Sequence, residues 1–161
     1  MENQVRNTAL THGIIIGVVY VFITTLMYAF DLSLFTNFGL GLFLIVLVVG
    51  FSIFSVVRIK KMLSGVITFR QAFMSYIIPI IVCIAINSLL TGLLFNVIDI
   101  EAKEVITENS IEAAEKMMRA FGAKDSEIDP ALDKIREQDN FAPVNLLKSF
   151  IYSVIFHSVF G

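Results

Sequence analysis

Four stretches of this chain run for a helix length or more with almost no charge, and nothing else in it constrains the fold as tightly. Residues 7–30, 32–57 and 71–98 contain no Asp, Glu, Lys or Arg, and residues 141–161 contain only Lys148. A helix needs about 20 apolar residues to cross a hydrocarbon layer ~30 Å thick. The first three runs reach that length. A soluble domain of this size has no place for three such helices, because its surface must stay polar. Composition agrees: 57% of the residues are hydrophobic, where soluble domains lie nearer about 45–50%. A β-barrel is disfavoured as well, since its strands alternate in polarity instead of running continuously apolar. The expected architecture is all-α: one integral membrane four-helix bundle covering residues 1–161. Its spans are expected at about 9–30, 38–57, 70–98 and 144–161, with a short helical extracytoplasmic segment at about 99–143.

The first run is longer than a signal-peptide core and lacks a small-residue cleavage site after it, so it reads as an uncleaved helix. The fourth is marginal. The thirteen residues after Lys148 rise only about 20 Å, short of the hydrocarbon core. The natural chain is therefore expected to continue beyond Gly161.

Charge sets the expected orientation. Arg58, Lys60, Lys61 and Arg70 lie between the second and third runs with no acid among them, and basic residues near span ends stay in the cytoplasm. Both termini are then cytoplasmic. Residues 99–140, with twelve acids against six bases, are then outside. Thr68 and Gln71 have capping-box spacing at the start of the third run. Pro79 is tolerated within it. In the outer segment Ile111, Ala114, Met118 and Phe121 form one stripe, expected to dock on the bundle or the membrane interface. Glu112 with Lys116 and Glu115 with Arg119 form i,i+4 pairs. Gly122 suits a helix stop, and Asp129 followed by Pro130 suits the start of a second helix.

Candidate functional residues are few. Gly13 and Gly17 form a GxxxG, whose small residues let another helix approach closely. Asn87, Ser88, Thr91 and Asn96 put a polar series on the third run, with Asn87 and Thr91 sharing a face. That face either hydrogen-bonds to a neighbouring helix or lines a pathway. No Asp, Glu, Lys or Arg lies mid-span, where pumps and proton relays need them. His12 and His157 fall near span ends and read as interface histidines. The single cysteine, Cys83, excludes an internal disulfide. Nothing resembles a P-loop, a nucleophile elbow, a zinc-protease helix or a CxxC pair. No basic face suggests nucleic acid. No cofactor and no enzymatic activity are expected.

The stretch Gly65-Val66-Ile67-Thr68-Phe69-Arg70-Gln71-Ala72-Phe73 resembles a bacterial membrane-protein family, domain of unknown function 4199. The likeness extends to the glycine-rich first helix and to the polar segment before the last one. It implies a four-helix bundle in the cytoplasmic (inner) membrane of a bacterium and assigns no activity. Two functions remain open. One is a non-enzymatic scaffold, assembly or lipid-interacting bundle. The other is a small oligomeric transporter or channel subunit using the polar face of the third helix. Expected partners are membrane lipids, and a second copy or another membrane protein.

Overall fold

The chain is all-α. The computed structural model describes residues 2–159 as six helices. α1 spans Glu2–Phe30, α2 Phe38–Met62, α3 Phe69–Leu93, α4 Ile100–Ala120, α5 Asp125–Glu137 and α6 Pro143–Val159. A 3-10 turn at Leu32–Thr36 joins α1 to α2, and α3 runs on into a π-helical turn at Leu94–Ile98. Among the described residues, three helices are long and apolar enough to cross a membrane: α1, α2 and α3 with its π turn. α6 has 17 described residues, and the last two positions expected in the fourth span, Phe160 and Gly161, lie outside the description, as does Met1.

α3 is the hub. It packs against α1, α2 and α6, whereas among the described residues α6 packs against α3 alone. Small residues set the α1–α3 seam. A Cβ on Gly13 would lie 2.7 Å from Val82 Cβ and 3.0 Å from the Pro79 backbone, and one on Gly17 would lie 2.8 Å from Ile86 Cδ1. The central core joins Ile16, Val48, Tyr76, Ile77, Ile80 and Cys83. At one end, Val5 and Ala9 of α1 pack with Ile59 of α2. At the other, Tyr28 and Phe35 close over Leu94, Phe95, Ala102 and Ile106. α1 and α3 therefore run parallel, with α2 antiparallel to both.

Helix ends follow local chemistry. The Thr68 N–H donates to Gln71 Oε1 at 3.0 Å, and the Gln71 N–H donates to Thr68 Oγ1 at 3.3 Å, a reciprocal capping box. α2 runs further than its apolar stretch, so that Arg58, Lys60 and Lys61 belong to its last turns. Cations there complement the negative end of the helix dipole. The reversal into α3 passes through Ser64 (φ 60°) and Gly65 (φ 88°).

The acidic segment between α3 and α6 departs from expectation in two places. α5 begins at Asp125, and Pro130 lies inside it. Asp125 and Glu127 favour the earlier start, by complementing the dipole and by the Glu127 carboxylate accepting the Lys124 N–H at 3.2 Å. The surface that docks on the bundle is also different. Ala102 and Ile106 near the start of α4 are buried against the bundle rim, while α4 packs along α5 and Phe121 is 86% exposed at the hairpin tip. A helix 21 residues long rises about 30 Å, so only its near end reaches the rim.

Candidate functional site

The hub arrangement leaves a cleft. Among the described residues, the α2 and α6 backbones flank α3 without approaching each other closely, and α3 forms the floor between them. The cleft has two sections of opposite character.

Its polar section is a cavity of about 270 Å³. Tyr20, Asn87, Ser88, Thr91, Ser149, Ser153 and His157 supply hydrogen-bonding groups among Leu44, Val48, Ile84 and Phe150. Asn87 and Thr91 lie one turn apart on α3. Thr24 Oγ1 of α1 donates to Asn87 Oδ1 at 3.0 Å. The Thr91 hydroxyl donates back to the Asn87 carbonyl at 3.0 Å. Asn87 thus meets a neighbouring helix through its oxygen and borders the cavity as well. A second cavity of about 170 Å³ shares Tyr20, Leu44, Asn87 and Thr91 and continues to Leu34 and Phe35 under the 3-10 turn. Asn96, the outermost of the series, points elsewhere: its amide donates to the carbonyls of Gly92 (3.0 Å) and Phe141 (2.8 Å) and ties α3 to the start of α6.

The apolar section lies beyond His157. It is a groove of about 520 Å³ lined by Ile45, Val46, Val49, Gly50 and Ile53 of α2, Tyr76 of α3, and Phe156 and His157 of α6. No atom lies within 4 Å of a Cβ built on Gly50, so the glycine opens a notch in the α2 wall. Tyr76 is 5% exposed, and its hydroxyl has no hydrogen-bond partner among the described residues.

His157 joins the two sections. It is buried and lies in the last turn of α6, near the span end expected for it. Its Nδ1 lies 2.7 Å from the Ser153 carbonyl, and a carbonyl only accepts, so Nδ1 carries the proton and Nε2 is the acceptor of the neutral ring. Ser149, Ser153 and His157 are spaced four apart and share one face of α6, a line that sequence reasoning passed over because each residue is unremarkable alone. Tyr76 gave no such signal, since tyrosine near a span end is ordinary. His12 of α1 faces α2, its Nδ1 2.8 Å from Ser55 Oγ.

The basic group lies at one end of the molecule. Arg70 pairs with Glu2 at 2.8 Å, and Arg58, Lys60 and Lys61 close α2 nearby. The acidic α4–α5 hairpin lies at the other end. It is held there by Tyr28, whose hydroxyl donates to Asp99 Oδ2 at 2.8 Å, and by Lys103, whose Nζ is 2.8 Å from Asp139 Oδ2. Lys103, together with the backbone N–H groups of Phe141 and Ala142, holds the Asp139 carboxyl below its ordinary range, against a smaller opposing effect of burial.

A family model described as "Protein of unknown function (DUF4199)" matches residues 11–161. No curated protein and no solved structure matches the chain.

Proposed function

The chain belongs to the DUF4199 family, and from that premise we propose that it is a non-enzymatic, lipid-interacting protein of the bacterial cytoplasmic membrane. In this reading α6 is a fourth span, both termini are cytoplasmic and the acidic hairpin is extracytoplasmic. The separation of the basic end from the acidic end supports that orientation. The observation that carries the lipid reading is the apolar groove between α2 and α6. In a bilayer such a groove is filled by whatever apolar chain fits it, and Gly50 leaves room for one.

The transporter alternative draws support from the two polar cavities that share Asn87 and Thr91. Against it, the Gly13–Gly17 seam and the core of Ile16, Val48, Ile77 and Ile80 fill the space between α1, α2 and α3 toward the basic end. A continuous aqueous path along α3 would have to open that packed region.

Native mass spectrometry of protein released from bacterial membranes in mild detergent tests the reading. Wild type should retain diacyl lipid. Gly50→Leu, which fills the notch without a backbone clash, should lower retention several-fold, while Val18→Leu on the exposed face of α1 should not. Equal retention by all three proteins, or none by wild type, would overturn it.

A further inference from the structure

The polar section of the cleft holds more hydrogen-bonding capacity than the protein uses. Tyr20, Asn87, Ser88, Ser153 and His157 all border the cavity. The Asn87 amide oxygen is taken by Thr24 and His157 Nδ1 by the Ser153 carbonyl. The Asn87 amide nitrogen, His157 Nε2 and the hydroxyls of Tyr20, Ser88 and Ser153 have no partner among the described residues. None of these five groups is sealed off; the buried, unpartnered atom that is sealed belongs to Tyr76 and takes no part here. His157 is only 8% exposed, so it holds a free acceptor within the cleft. Unpaired polar groups in a protein interior are costly and are nearly always satisfied by protein, water or ligand.

Depth, charge and access narrow what can satisfy them. α3 with its π turn spans Phe69–Ile98, 30 residues, or about 45 Å at 1.5 Å per residue. Asn87 is about 27 Å along it from Phe69. With the helix centred on a core ~30 Å thick, Asn87 lies about 10 Å inside the hydrocarbon boundary at the acidic end. No Asp, Glu, Lys or Arg lines the cavity among the described residues. A phosphate at that depth would be desolvated without a cation, at high cost. An uncharged head is tolerated there once its hydrogen bonds are met. The cavity also opens sideways: it lies between α2 and α6 and continues past His157 into the apolar groove. Water filling it would face hydrocarbon along that side, whereas an amphiphile with its tail in the groove closes it.

Resting on the lipid reading above, we propose that the polar cavity binds the uncharged, hydroxyl-bearing head of a lipid whose tail lies in the apolar groove. Nε2 of the neutral His157 ring only accepts, so the head must donate, which a hydroxyl does and a bare ester or ketone does not. The Asn87 amide and the hydroxyls of Ser88 and Ser153 donate to the oxygens of the head in return. A diacylglycerol has this chemistry, with one free hydroxyl, two ester carbonyls and no charge. Recognition rests on that hydroxyl, and a phospholipid of the same tails is excluded from the cavity by its phosphate.

The test varies the head and keeps the tails. Wild type is placed in phosphatidylglycerol nanodiscs containing equal amounts of dioleoylglycerol and the methyl ether of its free hydroxyl. The lipid retained on release is identified by native mass spectrometry. The ether keeps every acceptor and loses the one donor. One neutral hydrogen bond corresponds to about a five-fold preference, so wild type should favour the free alcohol by about that factor. His157→Phe should retain both alike. Ser88→Ala combined with Ser153→Ala removes hydroxyls that have no partner among the described residues, and should lower dioleoylglycerol retention several-fold at an unchanged melting temperature. Equal retention of alcohol and ether by wild type, or undiminished preference or retention in the respective variants, overturns the proposal. The wild-type ratio decides alone if His157→Phe does not fold. Retention of phosphatidylglycerol that Gly50→Leu blocks, with no dioleoylglycerol bound, defeats only this assignment and leaves a cavity holding water. Absence of any retained lipid defeats the groove reading as well.

Discussion

Gly13 and Gly50 show how two glycines in apolar helices do opposite things. At Gly13 the neighbour that a methyl would meet includes the Pro79 backbone, which cannot rotate away. Around Gly50 there is open space. Gly13→Ala is expected to push α1 from α3 and destabilise the protein by about 1–3 kcal/mol, as overpacking does. Gly50→Ala should be neutral or stabilising by up to about 1 kcal/mol, because a helix interior favours alanine. Thermal unfolding in a fixed detergent compares them; a Gly13→Ala melting temperature at or above wild type would contradict the seam as described. Gly17 should be the more forgiving of the pair, since its near neighbour is the mobile end of Ile86. The sequence motif picks out Gly13 and Gly17 together and contains nothing that ranks them. The ranking depends on which atoms stand opposite, and those come from a helix more than sixty residues away.

Elements were legible to the degree that their signals are local. Three apolar runs mark α1 to α3, and the Thr68–Gln71 spacing marks the start of α3. Where local signals compete, as at Asp125 and Asp129, the acids of the first turn decided against the proline. The docking surface of α4 was not legible at all. Ala102 and Ile106 lie roughly 120° around the helix from the Ile111–Phe121 stripe, and it is their face, at the near end, that meets the bundle rim. Attachment of this hairpin depends in part on Asp139, which accepts from Lys103 and from the N–H groups of Phe141 and Ala142. Its carboxyl pKa is held below the ordinary 3.8. The ionised form therefore contributes stability that is complete above that value and is lost as pH falls through the lowered one. Exchange protection over residues 139–145, corrected for intrinsic rates, should drop below about pH 3.8 in wild type. In Asp139→Asn it should already be reduced at neutral pH. Protection unchanged by acid or by the substitution would show that the junction is held by other contacts.

At the scale of the whole molecule, charge is sorted to the two ends of a largely uncharged bundle, and this sorting makes the orientation testable. Lys61→Cys and Glu127→Cys, each in a Cys83→Ser background, can be treated with an impermeant thiol reagent in intact spheroplasts. Glu127→Cys should label directly and Lys61→Cys only after permeabilisation; the reverse pattern would invert the topology. Cys83 is buried in the central core, and a serine hydroxyl there can donate to the carbonyl one turn back, as those of Ser52 and Ser75 do, which limits the cost of the background substitution.

α6 is fastened unequally along its length. Its Pro143 end is pinned by the Asn96 amide on the Phe141 carbonyl and by Lys103 on Asp139, and among the described residues it packs on α3 alone. If it moves as a rigid post, the tied end is the pivot. From Pro143 to His157 it extends about 20 Å, so a swing of about 10° about the pinned end displaces the His157 level by roughly 3.5 Å. The same swing leaves the α1–α3 seam untouched. Width at the Tyr76 level would thus change by about 3.5 Å, nearly the thickness of a hydrocarbon chain. A bilayer constituent sliding in from the side would meet an adjustable jaw, and swelling or thinning of the surrounding leaflet would act on the same lever.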